Sequence, residues 1–388
     1  MNVLFLTHSF PRSPGDAAGS FILRLAVALR SEDVNVRVVA PAAPNVPEAD
    51  EIEGVRVERF RYAPRRYERL AYTGNMANDV ASSWTAKLAL VGFLGSDFAR
   101  AVRVRRNFEP DLLHAHWWFP NGVVGTWVAG LAHIPLVTTL HGTDVRLART
   151  VGVARPLFSH VLKHSAAVTT VSRWLKDETE SLVPGVKPMV APMPVSTDLF
   201  EPAEARDGAR LLFVGRLNEQ KGVDHLLHAA AAMKRPAQLD VVGDGPARGA
   251  LQNLARELGV DSRITWHGQV PQTALPGFYQ RAAATVVPSV DEGLGLVAVE
   301  ALLCETPVVA FDSGGLRDVI QHQKTGVLVK AGDRAALAKA LDDLLASDGA
   351  GRQLGRAGRL YALSAFAPES AARRYAEIYK QVLGANAS

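Results

Sequence analysis

The stretch Pro288 to Ala310, PSVDEGLGLVAVEALLCETPVVA, decides how this chain is read. Just ahead of it, Thr285 to Pro288 is a short β-branched run with the make-up of a buried strand. Gly293 and Gly295 let the backbone of the following Gly-Leu-Gly-Leu turn, residues 293–296, come close to a ligand. A helix beginning near Leu296 offers unpaired N–H groups to an anion. Glu292 then lies in the loop and Glu300 about one turn into the helix, with seven residues between them. Two carboxylates and an anion-friendly helix end converge on one crevice, which suits a charged ligand rich in hydroxyls.

Outward from this point, short apolar strands alternate with longer helical patterns in both halves of the chain. That alternation is the sequence sign of parallel sheets built from βαβ units. Strands are expected near 2–6, 36–40, 55–60, 111–115, 135–140 and 167–171 in the first half. In the second half they fall near 211–215, 238–243, 263–266, 284–288, 307–311 and 326–329. A Pro-rich and polar stretch from Pro192 to Arg210 separates the halves. The domains read as 1–195, a linker 196–210, and 211–368. A terminal segment carries Ala372, Tyr375, Ile378, Tyr379 and Val382 at helical spacing. The fold class is α/β, with two Rossmann-like, doubly wound domains.

Composition narrows the class. At 388 residues the chain is long for one core and comfortable for two. Apolar residues make up 48% and charged residues 21%, as in a soluble globular protein, and no apolar run is long enough to span a bilayer. The opening Met1 to Leu6 is too short for a signal core. The single cysteine, Cys304, excludes an intrachain disulfide framework and agrees with a reducing compartment, so a cytoplasmic location is expected. A formal charge of +4 and a pI near 9.2 permit an acidic partner without requiring one.

Further constellations gather at strand ends. The strand Leu211 to Val214 runs into Gly215-Arg216-Leu217-Asn218-Glu219-Gln220-Lys221-Gly222, placing Arg216 and Lys221 at the edge where open α/β sheets bind ligands. Two cations there can neutralise a diphosphate leaving group. Gly243, in Val242-Gly243-Asp244-Gly245-Pro246, marks another tight turn at that edge. In the first half, Gly15 and Gly19 lie in the loop between the first strand and a helix beginning near Phe21, where backbone N–H groups could meet phosphate. The Gly-x-Gly-x-x-Gly spacing of dinucleotide binding is absent, which argues against NAD. His141-Gly142-Thr143-Asp144 follows another strand. His114 and His116, two apart on a strand, share a face and raise a metal alternative, but the sequence names no third ligand; a pocket wall is the preferred reading. No Asp-x-Asp occurs in the chain, so no metal ion and no cofactor is expected.

Taken together, these motifs resemble the family-four retaining glycosyltransferases of GT-B fold. Their signature is a Glu, seven residues, then Glu, within a Pro-Ser, Gly-x-Gly, Glu-Ala, Pro-Val-Val pattern, and all of it stands between Pro288 and Val309. The match is specific in the second half and looser in the first. The resemblance implies two domains facing a central cleft, with a terminal helix, 369–388, returning to the first. It implies a nucleoside diphosphate sugar, UDP- or GDP-linked, as donor and a hydroxyl as acceptor, with a lipid-linked or polysaccharide precursor as the expected class. Glu292 would contact the donor sugar and Glu300 the ribose hydroxyls, while Arg216 and Lys221 would stabilise the leaving diphosphate. His141 would lie near the reacting carbon, with Asp144 and His116 toward the acceptor. A hexose would move with retention of configuration, by same-face attack assisted by the leaving phosphate. One departure is Cys304-Glu305 where the family commonly has Gly, since Glu fits a left-handed helix end poorly. A nucleotide-sugar epimerase or phosphorylase on the same plan, and a silent sugar-nucleotide binding protein, are the alternatives.

The segment Arg56 to Tyr72 interleaves six arginines with aromatics, and Trp84 to Arg106 adds Phe93, Phe98 and four more arginines. Such a face can dock on anionic lipid headgroups, bind nucleic acid or stay solvated. Peripheral membrane contact is the expectation, with nucleic acid the least favoured.

Overall fold

The structure is a computed structural model that describes residues 1–72, 76–203 and 207–386. Residues 204–206 of the expected linker and the last two of the expected terminal helix lie outside the described residues. The chain divides into two compact units, Met1–Pro194 with Pro368–Ser388, and Val195–Ala367.

The first unit holds an eight-stranded sheet. Its strands are β1 (Asn2–Leu6), β2 (Asn35–Pro41), β3 (Ala49–Ile52), β4 (Val55–Phe60), β5 (Leu112–His116), β6 (Leu136–Leu140), β7 (Ala167–Thr170) and β8 (Met189–Val190). Their order is β3-β4-β2-β1-β5-β6-β7-β8. All pairs are parallel except β3 with β4, a departure from the all-parallel sheet expected. β3 reads Ala-Asp-Glu-Ile, too acidic and too short to announce a strand. It forms because Glu53 and Gly54 both take positive φ, 49° and 75°, the two-residue hairpin turn that suits strand twist. β8 is only two residues long and also went unexpected.

The second unit holds a six-stranded, all-parallel sheet of β9 (Asp207–Val214), β10 (Gln238–Val242), β11 (Ile264–Gly268), β12 (Ala282–Val287), β13 (Val308–Phe311) and β14 (Gly326–Val329). Their order is β11-β10-β9-β12-β13-β14. β9 begins at Asp207, inside the stretch expected to be linker, because its ladder with β12 pairs Asp207 with Ala282. Both sheets reverse strand order at their first strand: β1 lies between β2 and β5, and β9 between β10 and β12. Loops leaving the two strands of such a switch point diverge and open a crevice.

Each unit buries its own core. Leu4, Leu6, Phe60, Phe93, Val104, Leu113 and Val128 form one cluster. Leu211, Phe213, Leu226, Val241, Val286 and Phe311 anchor the other. The helix Leu296–Leu303 ends with Glu305 at φ 59°, so glutamate does adopt the left-handed turn that favours glycine. The turn closes through Glu305 N–H to Leu302 O at 2.9 Å and Thr306 N–H to Ala301 O at 2.8 Å.

The terminal helix Pro368–Asn386 belongs to the first unit, packing against the helix Ser20–Ala28. Its Tyr375 and Tyr379 are fully buried. Tyr379 Oη lies 2.7 Å from His114 Nδ1, and the Tyr375 hydroxyl donates to Ala191 O at 3.0 Å. Tyr379→Phe leaves a buried imidazole nitrogen without its partner, a loss of about 1–3 kcal/mol. Urea unfolding should therefore show a lower midpoint for this variant, and an unchanged midpoint would mean the contact stabilises nothing.

Candidate active site

In the second unit, the loops leaving β9 and β10 are laced together backbone to backbone. Leu217 N–H donates to Asp244 O at 2.9 Å and Ala247 N–H to Leu217 O at 3.0 Å. A side chain at Gly243 would overlap the carbonyl oxygen of Gly215, so only glycine allows the crossing. Arg216, half-buried, follows directly. Asn218 caps the short turn Glu219–Lys221 by accepting from Lys221 N–H at 3.2 Å, which aims the lysine side chain back across the sheet edge.

Lys221 Nζ meets Glu292 Oε2 at 2.6 Å, with both side chains mostly shielded from water. The loop carrying Glu292 is tied on both sides. Gln220 Nε2 donates to Asp291 O at 3.0 Å and Val290 N–H to Gln220 O at 2.9 Å. From the other side, Asp291 N–H donates to Ser313 Oγ at 3.0 Å and Gly315 N–H to Glu292 O at 2.8 Å. Ser313-Gly314-Gly315 thus cradles the Glu292 loop, and a side chain at either glycine would collide with it. The sequence reading missed this support, although a Ser-Gly-Gly directly after a strand was a visible signal. Beyond the loop, Gly293 and Leu294 lead to Gly295 at φ 92°, and the helix that starts at Leu296 has no side-chain cap. Ala298 N–H turns back to Gly295 O at 2.9 Å, and the N–H groups of Leu296 and Val297 ahead of it have no partner within the helix, which leaves them to a ligand or to water.

Glu300 is buried one turn into that helix. The Tyr279 hydroxyl donates to its Oε2 at 2.7 Å, and Gln272 also bonds to it. Burial outweighs both hydrogen bonds and pushes the Glu300 carboxyl up to about 7. Tyr279 lies 21 residues away in sequence, and no local pattern pointed to it.

In the first unit, His116 closes β5 and His141 follows β6. His116 Nδ1 and His141 Nε2 lie 3.2 Å apart. Burial, and then the neighbouring imidazoles, hold both rings well below the usual histidine range, so both are neutral at pH 7. The His141 ring stacks on Trp117 at 4.3 Å and lies against Phe21 at 5.4 Å. Trp117 and Phe21 were not among the residues expected at the site.

Asp144 is turned inward instead of toward a ligand. Its Oδ1 accepts from the N–H groups of His141 (3.1 Å), Gly142 (2.9 Å) and Val145 (3.0 Å), and Oδ2 accepts from Trp118 N–H at 3.3 Å. It clamps the turn that presents His141, and burial raises its carboxyl to about 6. His114 spends both ring nitrogens internally, on Tyr379 Oη and on Thr139 Oγ1 at 2.6 Å. Among the described residues no group of three His, Cys, Asp or Glu side chains could hold a metal ion. Gly19 takes φ 69° where a side chain would strike Ser9 O, whereas nothing stands within 4 Å of a side chain placed at Gly15.

Two of the six arginines of the expected basic face, Arg59 and Arg61, are drawn inward. Arg59 is fully buried and donates to Pro11 O at 2.6 Å and to the Tyr72 hydroxyl at 3.1 Å. Arg61 pairs with Glu68 at 2.6 Å and Arg56 with Glu58 at 3.0 Å. Arg56, Arg65, Arg66 and Arg69 remain exposed.

Two family models match the chain: Glycosyltransferase Family 4 over residues 18–199, and Glycosyl transferases group 1 over residues 196–361. The chain is 32% identical to a D-inositol 3-phosphate glycosyltransferase of Thermobispora bispora, over 95% of this chain and 91% of the relative. It is 28% identical to a glycogen synthase of Mycobacterium tuberculosis, over 98% of this chain and 94% of the relative. Among solved structures, Anabaena HepE in complex with UDP-glucose superposes with a TM-score of 0.75 at 18% identity, over 98% of this chain and all (100%) of that one.

The raised Glu300 carboxyl sets a pH dependence. Between the ordinary carboxyl value of 4.5 and about 7, the folded chain holds a proton that the unfolded chain has released. Stability contributed at this site therefore falls as pH rises through that window, by on the order of 3 kcal/mol in all. Glu300→Gln removes this titrating group. Thermal melts at pH 5 and pH 8 should show the variant gaining on the parent at the higher pH, and a pH-independent difference would contradict the assignment.

Proposed function

The chain belongs to the family-four glycosyltransferases of GT-B fold, and from that membership we propose that it moves a hexose from a UDP- or GDP-linked sugar to a hydroxyl acceptor, retaining the anomeric configuration without a metal ion. The observation that carries this reading is the Lys221–Glu292 contact at 2.6 Å, in the loop that leaves β9 and also carries Arg216. Free of ligand, the carboxylate neutralises the ammonium. When a donor binds, Lys221 exchanges the carboxylate for the diphosphate and joins Arg216 in meeting its charge, and Glu292 is released to accept from the sugar hydroxyls. Glu300 accepts from the ribose hydroxyls, and the uncapped start of the Leu296–Leu303 helix faces the phosphates.

In the transfer step, the bond from the anomeric carbon to the phosphate oxygen breaks with its electron pair leaving on the diphosphate. The acceptor oxygen bonds to the same face, and its proton passes to the departing phosphate. Cations fixed beforehand where that charge develops lower the barrier. His141, neutral and stacked on Trp117, contacts the sugar near the reacting carbon without adding charge there.

The names of the relatives support two acceptor chemistries, a polyol phosphate and a growing glucan. We favour a lipid-linked or polysaccharide precursor met at the cytoplasmic membrane face. Trp84, Leu88 and Val91, exposed to 72%, 59% and 69%, lie along one side of the helix Trp84–Phe108. The turn Arg65–Tyr67, with exposed Arg65 and Arg66, packs on that helix. Apolar side chains beside exposed arginines suit an anionic bilayer surface.

UDP-glucose, GDP-mannose and ADP-glucose should be screened against D-inositol 3-phosphate, glycogen and lipid extracts, with the configuration at the new linkage read by NMR. A retained linkage is expected, and Lys221→Ala or Arg216→Ala should lower turnover roughly a hundredfold. An inverted product, release of free sugar phosphate or near-parental turnover in both variants would contradict the proposal. For the membrane, sedimentation with phosphatidylserine vesicles should show binding that salt weakens and that Trp84→Ser with Arg65→Glu and Arg66→Glu abolishes. Equal recovery with neutral vesicles would argue for a soluble acceptor.

A further inference from the structure

The helix Arg155–Lys163 ends in two imidazoles that the transfer site does not use. His160 and His164 stand four residues apart, so they lie one turn apart on the same side of the helix, and both are exposed. Their ring centroids are 4.0 Å apart, with the planes inclined at 35°. Other histidines are committed elsewhere. His114 spends both ring nitrogens on Tyr379 and Thr139, His225 accepts from Arg334 at 3.0 Å, and His267 lies 2.8 Å from Asp240.

The surroundings hold His164 in one of its two neutral forms. Its Nδ1 lies 2.8 Å from His160 O, and a carbonyl oxygen can only accept, so the proton is on Nδ1 and the lone pair on Nε2. Metal-ligating histidines are oriented in this way, giving the other ring N–H to a carbonyl or a carboxylate. No hydrogen bond ties the His160 ring among the described residues, so it can turn a nitrogen toward the same point. The place also suits a cation, since the last carbonyls of a helix carry partial negative charge that offsets Lys163 in the same turn.

This pair stands apart from the transfer site. Ala166 N–H donates to Leu136 O at 2.8 Å and Ala167 pairs with Val137, so the chain after His164 enters the sheet at the edge where β6 begins. His141 follows the opposite end of β6. We propose that His160 and His164 chelate one divalent transition-metal ion of the class that prefers imidazole, zinc, nickel or copper, with water in the remaining positions. Two nitrogens on one helical turn suffice because, once the first has bound, the second meets the ion at high effective concentration. With two protein ligands instead of the three or four of a resident ion, the site exchanges its metal with solution. The ion takes no part in the transfer step, so the proposal does not depend on that reading.

The test is calorimetric titration of the full chain, without an affinity tag, with zinc chloride and with nickel chloride in a buffer that does not coordinate metal. The parent should bind one ion per chain more than the double variant His160→Ala with His164→Ala. Each single variant should bind at least about tenfold more weakly, since disturbing even the outer partner of a metal ligand costs about that much. His133→Ala, which removes an exposed histidine outside the pair, should bind as the parent does. Magnesium chloride, whose ion takes oxygen ligands, should give no site that depends on the pair. In the 15N spectrum of histidine-labelled chain, His164 should be protonated at Nδ1 before zinc is added, and both rings should shift after it. Zinc should also raise the melting temperature of the parent and leave that of the double variant in place. Parental binding in both single variants, no binding by the parent, or an equal response to magnesium would overturn the proposal. Half an ion per chain would mean a site shared between two copies and would overturn the single-chain assignment.

Discussion

The ion pair between Lys221 and Glu292 is the constraint around which the second unit is arranged. Holding a lysine and a glutamate together, mostly out of water, costs desolvation on both sides, and a pair at 2.6 Å is kept only if both backbones are fixed. That fixing explains features that otherwise look unrelated. Asn218 caps the turn before Lys221, Gln220 ties that turn to the Glu292 loop, and Ser313-Gly314-Gly315 closes on the loop from the next strand. Each contact joins loops at the same sheet edge, so the strand order β10-β9-β12-β13 is what lets them meet.

The first unit solves a different electrostatic problem. Instead of paired charges it gathers neutral imidazoles, His8, His116 and His141, around Trp117 and Phe21. Burial keeps these rings uncharged, and each therefore has one donor and one acceptor nitrogen whose assignment depends on its neighbours. Asp144 fixes the backbone turn under His141, while Asn121 lies 3.0 Å from His8 Nδ1. The two carboxyls of this region, Asp97 and Asp144, act from inside the protein and present no charge outward.

Strands such as 2–6, 55–60 and 326–329 were legible because β-branched and aliphatic runs announce buried parallel strands. β3 was not, since its pairing depends on a Glu-Gly turn and not on its own residues. Lys221 and Glu292 could be named from their places at strand ends, but their contact spans 71 residues and had no local signal. The same holds for Tyr279 on Glu300 and for Asn121, which bridges Asp97 and His8. Two arginines misled in the opposite direction: Arg59 and Arg61 look like surface charge in sequence, yet the fold spends them on Pro11 O, Tyr72 and Glu68. Local pattern reports where an element lies, and burial decides whether its charge faces water.

The central claim is that Lys221 leaves Glu292 for the diphosphate of the donor. A crystal structure of the chain with bound UDP tests it directly. The account predicts Lys221 Nζ and the Arg216 guanidinium within hydrogen-bond distance of the diphosphate, the ribose hydroxyls on Glu300, and the Lys221–Glu292 contact broken. UDP bound elsewhere, or bound with that contact intact at its ligand-free length of 2.6 Å, would contradict it.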